Sequence, residues 1–208
     1  MKILFTGGGT GGHIFPLIAI CREIRKIYPK EDLQLLYIGP KDPLGEFLLS
    51  QERVMVKSIF AGKLRRYASP LALFQNFIDL FLKFPIGFLQ AIFYVFFSAP
   101  DLIFSKGGYG ALPVVLAAWL LQTPIFLHES DIAPGLANKI TSKFSLIIFT
   151  SFSETEYFPL EKMVLVGNPI RRELLSGSSG EAKDLFQLTG EKPVILIFGG
   201  SQGAQKIN

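Results

Sequence analysis

The sequence predicts an α/β protein in which helices cover both faces of a parallel sheet. Short apolar runs alternate with longer stretches of helical periodicity along the 208 residues, which is typical of parallel strands joined by crossover helices. The apolar runs are continuous, as expected for strands buried on both faces. Several runs lead into glycine-rich loops, and α/β proteins bind ligands where such loops follow the strands.

The predicted elements follow one another in a regular order. The apolar runs predicted as strands are Lys2–Phe5, Leu33–Ile38, Val54–Phe60, Asp101–Phe104, Ile125–His128, Leu146–Thr150, Val164–Val166 and Val194–Phe198. The predicted helices are Ile14–Tyr28, Gly45–Gln51, Leu71–Ser98 (broken near Pro85), Ala111–Leu121, Gly135–Ser142 and Glu181–Gln187. A Gly/Ser-rich linker at 176–180 precedes the last helix, and we interpret the last strand as the start of a second sheet domain.

The composition is that of a folded protein from a reducing compartment. Hydrophobic residues make up 49% of the chain and charged residues 18%, so a large core is expected and disorder is not. The single cysteine, Cys21, excludes a disulfide framework and is expected to be a buried core residue. The N-terminus lacks the pattern of a secretory signal.

Two uncharged segments need consideration as membrane spans. The first, Phe84–Pro100, is short and contains Pro85 and Gly87. The second, Gly107–Leu127, opens on glycines and divides better into a loop, a helix and a buried strand. We therefore expect neither segment to cross a membrane.

The first glycine loop, Gly7–His13, predicts a phosphate-binding site. It lies between a predicted strand and a helix N-terminus, where backbone N–H groups bind anions and glycine permits a close approach. The imidazole of His13 could exchange a proton with a ligand near neutral pH. A dinucleotide site is disfavoured because the second strand runs into Gly39-Pro40, with the nearest acid, Asp42, beyond the turn.

Further polar segments follow the later strands. A second glycine loop, Ser105–Gly110, and a third, Gly199–Gly203, indicate a cleft that faces more than one phosphate. Lys106 could provide charge to a diphosphate or could be an ordinary exposed lysine, and no Walker A pair follows any loop. The segment His128–Asp131 is a candidate polar site, although Glu129 could instead have a structural role. No Cys/His cluster predicts a metal site.

A basic cluster at Gly62–Tyr67 precedes a strongly apolar helical segment, Leu71–Phe84. This combination favours docking on an anionic membrane surface. A buried helix with a solvated basic turn would produce the same pattern.

Taken together, these motifs resemble the MurG family, the peripheral-membrane N-acetylglucosaminyltransferases of peptidoglycan synthesis in glycosyltransferase family 28. The matching motifs, which span the chain in order, are Gly8-Gly9-Thr10-Gly11-Gly12-His13, Gly62-Lys63-Leu64-Arg65-Arg66, Lys106-Gly107-Gly108-Tyr109, His128-Glu129, Pro134-Gly135-Leu136-Ala137-Asn138-Lys139, Gly167-Asn168-Pro169-Ile170-Arg171 and Gly199-Gly200-Ser201-Gln202-Gly203-Ala204. Family members commonly have Gln-Asn after His-Glu, where this chain has Ser130-Asp131.

The resemblance implies an N-terminal fragment of a GT-B fold, with the active site between two Rossmann-like halves. Residues 1–168 would form the acceptor- and membrane-binding domain, 169–192 a linker, and 193–208 the start of the donor-binding domain. The family transfers GlcNAc from UDP-GlcNAc to the MurNAc C4 hydroxyl of undecaprenyl-diphosphoryl-MurNAc-pentapeptide (lipid I), with inversion, and thereby serves cell-wall biogenesis, cell shape and division. The fragment alone is expected to be inactive.

The resemblance also implies roles for individual residues. His13 would be the general base. The donor would contact Thr10, Gly11, Gly12, Asp131, Arg171 and Ser201, and the acceptor diphosphate would face Gly107, Gly108, Tyr109 and Gly110. Membrane docking would use Lys63, Arg65, Arg66, Phe74, Phe77 and Phe81. No cofactor, metal or nucleic acid is implied, and the site of action is the cytoplasmic side of the cell membrane.

Two other interpretations fit the same residues. One is a glycosyltransferase that uses another lipid acceptor, such as diacylglycerol. The other is a non-catalytic module that docks on membranes and binds a nucleotide.

Overall fold

A computed structural model describes residues 1–28, 32–65, 69–153, 156–189, 193–197 and 199. Its strands are β1 (Lys2–Thr6), β2 (Gln34–Pro40), β3 (Met55–Ile59), β4 (Leu102–Ser105), β5 (Ile125–Glu129), β6 (Ile147–Thr150) and β7 (Met163–Leu165). Its α-helices are α1 (Gly11–Ile27), α2 (Pro43–Gln51), α3 (Pro70–Ile78), α4 (Phe84–Ser98), α5 (Leu112–Leu120), α6 (Leu136–Phe144) and α7 (Ser179–Leu185). The predicted parallel α/β class is confirmed, because the described strands form one parallel sheet.

The order of the strands places β1 at the centre of the sheet. The described strands lie in the order β3-β2-β1-β4-β5-β6-β7, so the chain moves outward from β1 in one direction and returns to its other side with β4. Thr6 at the end of β1 pairs with Ser105 at the end of β4. The strand order reverses at this pair, and such a reversal opens a crevice at the carboxyl ends of the two strands.

Alternate side chains of each strand enter separate cores on the two faces of the sheet. Phe5 packs with α1 and α2 on one face, where Cys21 is fully buried as expected. Leu4 packs with α4 and α5 on the other face. This two-sided burial explains the continuous apolar runs in the sequence.

The long apolar segment forms one continuous helix, so the predicted break near Pro85 is wrong. The hydrogen bonds widen to the π pattern over Asp79–Lys83, and the amide of Phe84 donates to the carbonyl of Asp79. The change of pattern immediately precedes Pro85, which has no N–H to donate. This wider turn accommodates the proline, and the helix continues to Ser98.

This helix, Pro70–Ser98, is 29 residues long and apolar enough to cross a membrane by length and composition, with 17% of its most apolar window buried. Among the described residues the helix Tyr109–Leu120, which includes α5, is also apolar, but it is too short to cross a membrane. Length and composition alone do not distinguish a helix that crosses a bilayer from one that lies on its surface.

The segment after β7 returns to α1. Arg172 pairs with Glu23 at 2.8 Å, and Arg22 pairs with Glu173. These contacts fasten a short 3₁₀ turn, Arg172–Leu175, beside α1.

The strand predicted at Val194–Phe198 is not formed over residues 193–197, and Phe198 lies outside the described residues. Side chains there are largely exposed, as for Ile195 at 82%. No strand of the described chain lies beside this segment, and an extended segment needs such a neighbour to complete its hydrogen bonds.

Candidate functional site: the cleft between two glycine loops

The side chain of His13 lies between the two glycine loops that follow β1 and β4. A Cβ atom on Gly8 would be 3.0 Å from Cε1 of His13, and one on Gly108 would be 2.8 Å from its Nε2. Any larger residue at either position would displace the imidazole. The loops therefore form a slot that fits the histidine ring.

Thr10 and burial determine the state of His13. The Thr10 hydroxyl lies 2.8 Å from Nδ1, and Nε2 has no hydrogen-bond partner among the described residues. Burial lowers the pKa of His13 to about 4, with a further lowering by the charge of Lys106 and an opposing effect of Asp131. His13 is therefore neutral at pH 7, and an Nδ1–H donated to Thr10 would leave Nε2 free to accept a proton.

A buried hydrogen-bond network fixes the second glycine loop. Asn138 on α6 accepts from the amide of Gly108 at 3.1 Å and donates to Glu129 at 2.7 Å. The other carboxylate oxygen of Glu129 accepts from the amide of Asp131 at 2.9 Å. Gly107 and Gly108 both have positive φ, at +85° and +83°, which other residues rarely adopt. Glu129 thus holds the loop and its own following turn, as the structural interpretation of its role expects.

Lys106 is buried in the floor of the cleft, so its interpretation as an exposed lysine is wrong. Only 4% of the residue is exposed. Its ammonium group donates to the hydroxyl of Ser130. A cavity of about 310 Å³ adjoins it, lined by Gly12, His13, Lys106, Gly108, Glu129, Ser130, Asp131, Gly135, Ala137 and Asn138.

A second cavity, of about 330 Å³, lies at the other side of the α1 N-terminus. It is lined by Gly11, Gly12, Phe15, Pro16, Pro169, Ile170, Arg171 and Leu174. The guanidinium of Arg171 stacks 4.5 Å from the centre of the Phe15 ring. Gly12 borders both cavities, so the start of α1 separates them.

The second histidine of the chain, His128, belongs to the predicted polar segment His128–Asp131 but lies outside this site. His128 is buried and its Nε2 lies 3.0 Å from the carbonyl of Gly167, while it lines neither cavity described above. Because a carbonyl only accepts, Nε2 carries the proton. Burial lowers the pKa of His128 to about 4. This contact ties β5 to the segment that follows β7.

The predicted docking residues divide into exposed and paired groups. Phe74, Phe77 and Phe81 are 63%, 58% and 59% exposed on one side of the long helix. Lys63 is exposed, but Arg65 is paired at 2.8 Å with Asp79, a buried carboxylate that also pairs with Lys83. Arg66, like the predicted donor residue Ser201, lies outside the described residues.

Sequence reasoning assigned no individual role in the site to Asn138 or Ser130, although both stand in segments that it named. Asn138 stands in a motif that was recognised, but only the position of α6 shows that its amide joins Glu129 to Gly108. The contact from Lys106 to Ser130 has no signal in the sequence. Among the described residues no group of three or more His, Cys, Asp or Glu side chains is placed to hold a metal ion.

We predict that both histidines titrate near pH 4, as NMR of the imidazole Cε1–H signals would show. Each folded pKa lies below the value near 6.5 of an unfolded chain. Above pH 6.5 neither group affects stability. Below it the unfolded chain binds protons that the folded chain cannot, so the free energy of unfolding falls between pH 6.5 and 4. A variant with His128→Gln assigns the signals, and a midpoint near 6.5 for His13 would contradict its burial in the slot.

Comparison with known proteins places the chain among glycosyltransferases of family 28. Residues 3–150 match the glycosyltransferase family 28 N-terminal domain. All 208 residues align with a protein of Shouchella clausii at 41% identity and one of Clostridium tetani at 38%. Both relatives are named UDP-N-acetylglucosamine–N-acetylmuramyl-(pentapeptide) pyrophosphoryl-undecaprenol N-acetylglucosamine transferase, and the chain spans 56% of the length of each.

Solved structures share the fold. The crystal structure of Acinetobacter baumannii MurG superimposes with a TM-score of 0.62 at 24% identity, over 82% of this chain and 46% of that one. Anabaena HepE in complex with UDP superimposes with a TM-score of 0.60 at 17% identity, over 90% and 49%. These likenesses confirm the Rossmann-like architecture of a GT-B half, and the match over residues 3–150 shows that the chain belongs to the glycosyltransferase family 28 N-terminal domain family.

Proposed function

We propose that this chain forms the acceptor-binding half of an enzyme that transfers GlcNAc from UDP-GlcNAc to the MurNAc C4 hydroxyl of lipid I. The observation that carries the proposal is the neutral imidazole of His13, held between two glycine loops at the switch point of the sheet. The names of relatives at 38–42% identity support the choice of donor and acceptor. Residues 1–168 would be the domain concerned, 169–192 the linker, and 193–208 the beginning of the donor-binding half.

His13 would act as the general base. Its Nε2 would take the proton of the acceptor hydroxyl while the acceptor oxygen forms a bond to the anomeric carbon of GlcNAc. The bond from that carbon to the UDP oxygen breaks at the same time, and UDP leaves with the electron pair, so the configuration inverts. The low pKa of His13 ensures that the imidazole is unprotonated before the reaction.

The start of α1 would bind the donor. The first amides of a helix have no intrahelical acceptor, so Gly11 and Gly12 can donate to the departing diphosphate. Arg171 borders the same cavity and supplies a positive charge. Thr10 would contribute through its contact with His13, and Asp131, which lines the cavity on the His13 side, would accept from sugar hydroxyls.

The second glycine loop, including Tyr109, would bind the acceptor diphosphate. A Cβ on Gly9 would lie 3.8 Å from the Tyr109 hydroxyl. Burial raises the pKa of Tyr109, and the charges of Asp79, in the long helix, and Asp42 raise it further. A lipid-borne acceptor held at Gly107–Gly110 would lie beside the slot that holds His13.

The long helix would hold the protein on the cytoplasmic face of the membrane. Phe74, Phe77 and Phe81 would insert among the lipid chains, because these apolar side chains are exposed in the folded chain. Lys63 would contact anionic headgroups. Arg65 would act mainly by holding the basic segment against Asp79.

Replacement of His13 by alanine in the full-length gene product should reduce GlcNAc transfer to a lipid I analogue by about 10²- to 10⁴-fold, because the general base is lost. UDP-GlcNAc binding should change little. The matched control is His128→Gln, which changes the histidine outside both cavities and should leave turnover within a few-fold.

Near-normal turnover of the His13→Ala enzyme would remove His13 from the mechanism. The same assay with diacylglycerol in place of the lipid I analogue tests the acceptor. Transfer to diacylglycerol alone would overturn the proposed substrate, and nucleotide binding without any transfer would favour a non-catalytic module.

Replacement of Phe74, Phe77 and Phe81 by serine should reduce flotation with anionic liposomes about tenfold or more, because three exposed apolar side chains no longer enter the bilayer. The control pair Leu44→Ser and Phe47→Ser, which changes exposed apolar residues on α2, should float as the parent does. Unchanged flotation of the triple variant would show that these residues do not dock. Retention of the parent protein by membranes in alkaline carbonate would contradict peripheral binding.

A further inference from the structure

Lys106 is a buried cation for which the described residues provide no ion-pair partner. It immediately follows β4, where its amide donates to the carbonyl of Thr6 at 2.8 Å and fixes the backbone. The side chain is 4% exposed and its ammonium donates to the neutral hydroxyl of Ser130. No carboxylate oxygen of the described chain lies within 4.0 Å of this nitrogen.

The nearby carboxylates do not replace that partner. Both oxygens of Glu129 already accept hydrogen bonds, one from Asn138 and one from the amide of Asp131. Asp131 itself is exposed to solvent. Burial lowers the pKa of Lys106, while the charges of Glu129 and Asp131 raise it. The ammonium is thus only partly compensated by these carboxylates and has one hydrogen-bond acceptor among the described residues, which is costly for a buried cation.

The cavity of about 310 Å³ above Lys106 is suited to an anion that supplies what the ammonium lacks. It is bordered by Gly12 at the start of α1, where a helix N-terminus favours an anion, and by Gly108 in the second loop, whose amide donates to Asn138. A diphosphate offers several acceptor oxygens for the ammonium of Lys106 and negative charge that offsets its positive charge. The size of the cavity is that of a small-ligand site.

We propose that Lys106 binds the diphosphate of a substrate in this cavity, with Ser130 holding its ammonium toward the ligand. This inference deepens the proposed function and depends on it for the nature of the ligand, since both UDP-GlcNAc and lipid I carry a diphosphate. Lys106 is then a ligand-binding residue that the chain keeps buried at a cost in stability. The contact with Ser130 orients the ammonium and satisfies one of its three N–H groups.

The primary test compares Lys106→Met with the parent full-length gene product, using inorganic pyrophosphate as the probe in isothermal calorimetry. Methionine keeps most of the apolar stem and removes the charge. Pyrophosphate affinity should fall about ten- to hundredfold, because a charge-assisted hydrogen bond is lost in a buried site. The melting temperature should stay the same or rise, because an uncompensated buried charge is removed. A merely structural lysine would produce the opposite result, with lower stability and unchanged affinity.

Two further variants sharpen the test. Ser130→Ala leaves the charge in place and removes only its anchor, so it should weaken pyrophosphate binding less than Lys106→Met does. Lys57→Met removes an exposed charge on β3, which lies three strands from β4, and should leave affinity within twofold. Equal losses in Lys57→Met and Lys106→Met would indicate a general charge effect and would overturn the proposal.

Two further ligands identify which substrate's diphosphate Lys106 binds. If Lys106→Met lowers the affinity for UDP alone, Lys106 binds the donor diphosphate. If it lowers the affinity for farnesyl diphosphate alone, Lys106 binds the acceptor diphosphate. Unchanged affinity for pyrophosphate and for both ligands overturns the inference. Because these are binding measurements, they remain informative if the protein proves unable to transfer GlcNAc to lipid I, an outcome that would overturn the proposed function alone.

Discussion

The pairing of β1 with β4 is the constraint on which the cleft depends. Thr6 pairs with Ser105, and the amide of Lys106 donates to the carbonyl of Thr6 at 2.8 Å, so the loops after the two strands begin side by side. A sheet that continued outward from β1 in sequence order would separate these loops. The reversal of strand order instead brings Gly8 and Gly108 within contact of the same imidazole. The site is thus a consequence of topology, and the glycines make the close approach possible.

Charged side chains form ion pairs at the periphery of the protein but not in the cleft of the described chain. Asp79 pairs with Arg65 and Lys83 beside the long helix, and ion pairs on α1 hold the segment that follows β7. In the cleft, by contrast, Lys106 has only a hydroxyl partner among the described residues, and burial keeps His13 neutral. Groups left uncompensated in the folded chain are those that a charged substrate can satisfy, which is a common arrangement at functional sites.

Sequence patterns located the described strands and helices but not the contacts between them, and they also predicted a strand at Val194–Phe198 that is not formed over residues 193–197. Continuous apolar runs located β1 to β7 because strands buried on both faces leave that pattern, and glycines next to His13 located the cleft. The π turn at Asp79–Lys83 escaped prediction because it depends on how a helix accommodates a proline. Asn138 and Ser130 escaped because their roles depend on where α6 and the turn after β5 lie relative to β4. Contacts across elements have no period along the chain.

The most direct test of the cleft is the rate of GlcNAc transfer by the full-length gene product with Gly8→Ala. Gly8 does not have a positive φ, so alanine is allowed there, but its Cβ would lie 3.0 to 3.4 Å from three atoms of the His13 ring. Our account predicts that the rate falls at least about tenfold, since small displacements of a catalytic group are costly. Gly9→Ala, whose Cβ would meet Pro40 at an ordinary 3.4 Å, should have a smaller effect. Equal rates for the parent and Gly8→Ala would contradict a catalytic role for the slot around His13.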